Sequence, residues 1–199
     1  MSVFCLFILF IIICNLDFHS LVKNCNHKRL GIYYLLSALI FGISATSFSV
    51  LIRIELYSSG NRILSPENQN FYNISITLHG LLMIFFLVMP GLFGGFGNYF
   101  VPIFLGSAEV VYPRVNNLSI FILPISYLLV ILSLCTEFGG GTGWTLYPPL
   151  STSLMSLSPS STAFIIFGLL MSGISSYQLG LSFYLLERYS LLTLFLSII

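Results

Sequence analysis

One histidine stands near the head of a long uncharged run, and its side chain could bind a metal. His79 lies in the stretch ITLHGLLMIFFLVMPGLFGGFGNYFVP (76–102), and no charged residue occurs from 72 to 108. A polar group left unpaired in hydrocarbon costs roughly 2–7 kcal/mol, so an imidazole inside a membrane span marks a functional site. Two interpretations stay open: a ligand to a buried haem iron, or a hydrogen bond to a neighbouring helix.

A second polar group, Arg53, ends another apolar stretch on the side of the membrane where the span of His79 begins. It is either an interface arginine whose charge reaches water or, at the same depth as His79, a group that bonds an oxygen substituent of a cofactor beside that histidine. The other histidines, His19 and His27, fall in the N-terminal segment on the opposite side. If His79 binds haem, the second axial ligand is therefore expected from another polypeptide.

The composition indicates an integral membrane protein. Charged residues make up 7% of the 199 residues and apolar residues 57%, whereas about 25% of a soluble domain is charged. The net charge of +1 gives no sign of a nucleic-acid partner. The four cysteines show neither C-x-x-C spacing nor a neighbouring histidine cluster, which favours structural thiols.

Four apolar stretches are long enough to cross a bilayer, which takes about 20 residues in a helix. They cover 31–52, 72–105, 116–136 and 162–186. We therefore predict an all-α integral membrane fold with an N-terminal apolar extension (1–25), a transmembrane part (26–188) and an apolar tail (189–199) that begins a partial fifth helix.

The basic residues predict the orientation of these spans. Five of the seven fall on the side shared by the N-terminal segment, the loop between spans two and three, and the tail; they are Lys23, Lys28, Arg29, Arg114 and Arg188. Positive charge favours the inner side, so the N-terminal segment is predicted to face the cytoplasm or a mitochondrial matrix.

Further polar residues occur in the loops and at the ends of the spans. The segment EFGGGTGWTLYPPL (137–150) has glycines that let a backbone pass close to a bulky group, with Trp144 and Tyr147 as donors. Glu109 lies in the loop between spans two and three. Asn98 and Asn116 stand at the ends of those spans, and the hydroxyls of Ser175 and Ser176 lie within span four. In series such groups can hold a water chain that carries protons, or they can serve helix packing alone.

These stretches together resemble subunit I of the haem–copper oxidases, the family that includes mitochondrial cytochrome c oxidase. The matching segments run in one collinear order from 26 to about 186. They are NHKRLGIYYL (26–35), LIRIEL (51–56), HGLLMIFFLVMPGLFGGFGNYFVP (79–102), YPRVNN (112–117), GGGTGWTLYPPL (139–150) and GISS (173–176). The resemblance implies the N-terminal portion of a twelve-helix bundle.

The resemblance assigns roles around two haems. It makes His79 the axial ligand of the low-spin haem a and Arg53 the donor to the formyl group of that haem. It puts Tyr72 near the haem a propionates, and Trp144 with Tyr147 near a propionate of the oxygen-binding haem.

It also implies an ion site and a proton pathway. Glu55 and Gly60 correspond to ligands of a small Na⁺ or Ca²⁺ site, which oxygen donors suit. Glu109 corresponds to an aspartate at the mouth of the D proton pathway, with glutamate as a departure from the usual residue. The positions that line that pathway are Asn98, Asn116, Tyr34, Ser119, Ser175 and Ser176.

The family's remaining helices carry the second haem a ligand, the ligand of the oxygen-binding haem and the copper histidines. The resemblance therefore implies that copper belongs to the complex and is not bound by this chain. We expect a naturally split subunit whose second polypeptide supplies these ligands; a truncated fragment is the alternative. This chain alone is not expected to be catalytic.

The implied partners are oxidase subunits II and III, cytochrome c as electron donor, and the lipid bilayer. The implied location is the mitochondrial inner membrane, with the N-terminal segment toward the matrix. Two other functions stay open, a subunit I of a quinol oxidase in the same family and a structural membrane protein without a cofactor.

Overall fold

The computed structural model describes residues 26–57, 69–136, 138–152 and 159–198, and these residues form four long helices without a strand among them. The extension 1–25 and Gly60 lie outside the described residues. The helices are α1 (His27–Glu55), α2 (α-helical over Gln69–Leu81 and Asn98–Phe104), α3 (Pro113–Leu132) and α4 (Pro159–Ile198).

Each helix is long and apolar enough to cross a membrane. The candidate spans are 29, 35, 23 and 31 residues long, and 20 residues already rise about 30 Å. Each predicted stretch falls within or one residue beyond an observed span, so the predicted all-α membrane fold is confirmed. Residues 189–198 continue α4 without a break in the backbone, so the prediction that a partial fifth helix begins there is wrong for these residues.

The middle of α2 is wound more widely than an α-helix. Two π-helical segments, Leu82–Val88 and Pro90–Gly97, separate its two α-helical parts. Pro90 cannot donate a backbone hydrogen bond, which weakens the tighter winding at that point. This long α2 carries both His79 and Asn98, one in each α-helical part.

The chain divides into two compact units, and each of the four helices contributes to both. The described residues of the first unit are 26–40, 88–124 and 173–198; those of the second are 41–57, 69–87, 125–136, 138–152 and 159–172.

Glycines allow close helix packing in the first unit. A Cβ on Gly94 would come within 2.5 Å of the Tyr34 ring, and one on Gly95 within 2.6 Å of Leu35. A Cβ on Gly31 would meet the Gly95 carbonyl oxygen at 2.9 Å. Small residues at such crossings let helix backbones approach each other in membranes, so α1 and α2 pack directly here.

In the second unit an aromatic cluster and a tight glycine contact join the helices. Phe41 stacks on Tyr127 with 4.1 Å between ring centroids, and Phe86 meets Tyr127 edge-on at 5.7 Å. The Ser126 hydroxyl of α3 donates to the carbonyl of Gly168 on α4. A Cβ on Gly168 would lie 2.5 Å from a Val130 methyl group and 3.0 Å from the Ser126 carbonyl oxygen.

We therefore expect Gly168→Ala to destabilise the packing of α3 on α4. Overpacking of a filled site costs about 1–3 kcal/mol. In contrast, Gly173→Ala on the same helix should be neutral or slightly stabilising, because no other described residue comes within 4 Å of the added carbon. Thermal denaturation of the detergent-solubilised complex checks both. Equal melting temperatures for the two variants would contradict this account.

Candidate functional site

His79 is held by a hydrogen bond to a neighbouring helix. Its Nδ1 lies 3.0 Å from the backbone carbonyl oxygen of Ala45 on α1. A carbonyl can only accept, so Nδ1 carries the proton and Nε2 keeps a lone pair. Among the described residues no hydrogen bond to Nε2 is formed, and the ring is half-buried. A metal-binding histidine usually has this arrangement, with its other nitrogen donating to a carbonyl or carboxylate.

Arg53 and Tyr72 each lie about two helical turns from the level of His79. Arg53 is exposed in the last turn of α1, eight residues after Ala45, so it is about 12 Å beyond the level of His79. Tyr72 is half-buried and precedes His79 by seven residues, about 10 Å along α2. The sequence interpretation put Arg53 at the depth of His79; two helical turns separate them, because the partner of His79 is Ala45.

The glycine-rich loop docks onto α2 at Thr77 and Gly80, on either side of His79 in the sequence. The Gly143 N–H donates to the Thr77 hydroxyl at 2.9 Å, and Gly143 has a φ of +83°, which favours glycine. A Cβ on Gly80 would lie 3.3 Å from the Trp144 Cβ. Trp144 is 51% exposed and Tyr147 72%, so both side chains are available to another molecule.

The ion site stays a prediction. Glu55 is half-buried at the end of α1, and Gly60 lies outside the described residues. Across the described part of the chain, no three His, Cys, Asp or Glu residues group together in a way that could hold a metal ion by themselves.

A second polar group of residues lies in the first unit around Ser119 of α3. The Ser119 hydroxyl donates to the carbonyl of Asn116 at 2.6 Å, so the Tyr34 hydroxyl, 2.5 Å away, is the donor to Ser119. The Ser175 hydroxyl of α4 donates to the Ser119 carbonyl at 2.8 Å. Three helices thus bring Tyr34, Ser119 and Ser175 together.

Asn98 and Asn116 extend this group toward the start of α1. The Asn116 amide donates to the Asn98 side-chain oxygen at 2.8 Å, and the Asn98 amide donates to the Gly94 carbonyl at 2.8 Å. The buried ring of His27 places Nδ1 3.0 Å from the Asn98 carbonyl oxygen. The sequence interpretation did not predict the contact of His27 with Asn98. The available signal was that a polar residue stands at the start of a span.

Two predicted members stand apart from these contacts. Glu109 is exposed in the loop between α2 and α3, and the described contacts do not join it to Asn98 or Asn116. The Ser176 hydroxyl donates within its own helix, to the Gly173 carbonyl at 2.9 Å. The structure therefore brings together Tyr34, Asn98, Asn116, Ser119 and Ser175.

Comparison with known proteins shows that one family model covers both the region around His79 and the region around Ser119. The family described as Cytochrome C and Quinol oxidase polypeptide I matches residues 29–186. The chain belongs to this family. His79, Arg53, Trp144, Glu109 and the residues around Ser119 all lie within the matched range. The resemblance to the haem–copper oxidases is confirmed.

Three relatives are similar to a large part of the chain. Cytochrome c oxidase subunit 1 of Plasmodium falciparum is 60% identical over 168 residues, which cover 84% of this chain and 35% of that protein. The corresponding subunit of Plasmodium berghei is 58% identical with the same coverage, and that of Plasmodium chabaudi is 58% identical over 165 residues, covering 83% of this chain and 35% of that protein. The chain thus spans about a third of the length of these relatives.

We predict that Gly94→Ala breaks the hydrogen bond between Tyr34 and Ser119. The added methyl group would lie 2.5–2.9 Å from three ring atoms of Tyr34, so the ring must move. Gly91→Ala is the matched control, since among the described residues the added carbon would meet only the Ala38 Cβ, at an ordinary contact distance of 3.9 Å. Structures of both variants in the assembled complex measure the Tyr34–Ser119 oxygen separation; an unchanged separation in Gly94→Ala would refute the constraint.

Proposed function

We propose that this chain is part of the catalytic subunit of cytochrome c oxidase, to which it contributes the low-spin haem a site and the entrance of a proton pathway. The complex would reduce oxygen to water and couple this reaction to proton pumping. The observation that carries the proposal is the bond from His79 Nδ1 to the Ala45 carbonyl, because it leaves the lone pair of Nε2 available to a metal.

The residues around His79 fit a haem. A haem supplies one-electron chemistry at its iron, and axial ligands and neighbouring polar groups tune its potential. His79 would ligate the iron through Nε2, and the hydrogen bond to Ala45 would fix the orientation of the ring. Arg53 would donate to the formyl oxygen and withdraw electron density. Tyr72 would lie near the haem a propionates, and Trp144 and Tyr147 near a propionate of the oxygen-binding haem.

The hydrogen-bonded residues around Ser119 support a proton route. Hydroxyls both donate and accept, and amides carry both kinds of group, so Tyr34, Asn98, Asn116 and Ser119 can hold waters in series. Ser175 extends this line onto α4, with Ser176 one residue further. Glu109, exposed in its loop, would collect protons at the mouth of the route.

The proposed partners supply the haem and copper ligands that the oxidase needs in addition to His79. The second haem a ligand, the ligand of the oxygen-binding haem and the copper ligands would come from the remaining part of subunit I, for which a second polypeptide is our prediction. Subunits II and III, cytochrome c as donor and the mitochondrial inner membrane complete the assignment, with the start of α1 toward the matrix. A Na⁺ or Ca²⁺ ion at Glu55 and Gly60 belongs to the same proposal.

The spectrum and metal content of the purified complex separate this proposal from its rivals. A haem a absorption band with a dinuclear copper centre supports cytochrome c oxidase. A haem band without that copper centre would favour a quinol oxidase, and no haem band would favour a structural membrane protein. The names of the three relatives favour the first outcome.

Replacing His79 should abolish the low-spin haem signal. In His79→Leu no imidazole remains at this position, whereas Arg53→Met should retain the haem and shift its absorption, because Arg53 acts electrostatically. Reduced-minus-oxidised spectra of both variant complexes measure the two effects. Unchanged low-spin haem in His79→Leu would show that the ligand assignment is wrong.

Removing the charge at position 109 tests the pathway. We expect Glu109→Gln to slow oxygen reduction and lower the number of protons pumped per electron, because an amide cannot collect protons. Both haem spectra should stay unchanged, since the residue lies in an exposed loop. Turnover and pumping in sealed vesicles provide the measurement, with Glu109→Asp as the control that keeps the acid. Normal pumping in Glu109→Gln would show that Glu109 is an ordinary surface carboxylate with no role in the pathway.

A further inference from the structure

Thr77 makes two hydrogen bonds that point in different directions. Its hydroxyl donates to the Asn73 carbonyl of α2 at 2.7 Å and accepts from the Gly143 N–H at 2.9 Å. The side chain is fully buried. Because the bond within the helix uses its one proton, the hydroxyl oxygen remains free to act as an acceptor for the loop.

The loop is held at two points on one turn of α2. Gly143 bonds Thr77, and the next residue, Trp144, packs against Gly80, where an added Cβ would lie 3.3 Å from the Trp144 Cβ. Residues three apart lie on the same face of a helix, so Thr77 and Gly80 form one docking surface. The positive φ of Gly143 turns the chain at this contact.

The same turn of α2 carries His79, whose ring bonds Ala45 on α1. This turn therefore holds the candidate haem ligand on one face and the backbone of Trp144 on another. Ser75 offers a direct comparison: its hydroxyl is equally buried on α2, and it donates to Phe71 within the helix at 2.8 Å. Thr77 differs from Ser75 by its second bond, to the loop.

We propose that Thr77 is a positioning residue that fixes the Gly143–Trp144 peptide, so that the Trp144 indole N–H is presented to a carboxylate of the oxygen-binding haem. This inference rests on the proposed function of Trp144. Thr77 acts through the loop and does not touch the cofactor. Its loss lets Trp144 move while the helix that carries His79 stays in place.

Hydrogen exchange of the loop amides tests the link itself. Thr77→Val keeps the shape of the side chain and removes the acceptor, so a peptide that contains Gly143 should exchange severalfold faster; a hydrogen bond is worth about 0.5–1.5 kcal/mol. Thr77→Ser should restore slow exchange. Ser75→Ala, which removes a bond within the helix only, should leave the Gly143 amide unchanged. Unaltered exchange in Thr77→Val would overturn the proposal.

A double-mutant cycle tests the path through Trp144. In the assembled complex Trp144→Phe should shift the midpoint potential of the oxygen-binding haem, and Thr77→Val should shift it in the same direction by a smaller amount. If Thr77 acts through Trp144, the double variant matches Trp144→Phe alone, and Ser75→Ala leaves the potential unchanged.

Different results would contradict the positioning role of Thr77 and the proposed function of Trp144. A shift in Trp144→Phe with none in Thr77→Val, or additive shifts in the double variant, overturns the role of Thr77 and leaves the function of Trp144 standing. No shift in Trp144→Phe refutes the proposed carboxylate contact and with it the positioning role, even where the Gly143 amide still exchanges faster in Thr77→Val.

Discussion

Hydrocarbon offers no hydrogen bonds, and the way in which this chain meets that constraint determines where its helices are linked. A polar group inside a bilayer must find its partner within the protein. Many of the serine and threonine hydroxyls find it in their own helix, as Ser37, Ser75 and Ser172 do by donating to the carbonyl three or four residues earlier. Hydroxyls of this kind are satisfied within one helix and, among the described residues, do not link it to another.

The groups that matter for architecture are those that also form a bond between elements. Ser126 bonds Gly168 between α3 and α4, and the Tyr127 hydroxyl donates to Ser44 of α1 at 2.7 Å. Ser119 accepts from Tyr34 and, through its carbonyl, from Ser175. Gly168 lets α4 lie close to α3 at the first of these links, and Gly94 leaves room for the Tyr34 ring that bonds Ser119. Small residues and bonds between helices therefore act together.

The distinction between bonds within one helix and bonds between elements also explains how much of this structure the sequence predicts. Apolar length alone predicts the four spans closely, because the thickness of a bilayer is fixed. His79 is recognisable because an imidazole contrasts with its apolar surroundings. The acceptor of its proton is not, since the carbonyl of Ala45 is a backbone atom that every residue has. For the same reason the sequence misplaces the depth of Arg53 and misses Thr77 and His27, whose partners are backbone groups on other segments.

The two interpretations of His79 that the sequence left open are compatible rather than competing. An imidazole has two nitrogens, and a bond to a neighbouring helix accounts for one of them only. By donating Nδ1–H to Ala45, the ring fixes which nitrogen keeps its lone pair and where that lone pair points. Nε2 still requires a partner in a water-poor environment, and the described residues do not provide one. The hydrogen bond to a neighbouring helix, one of the two interpretations, is thus the same contact that would prepare His79 to bind a metal.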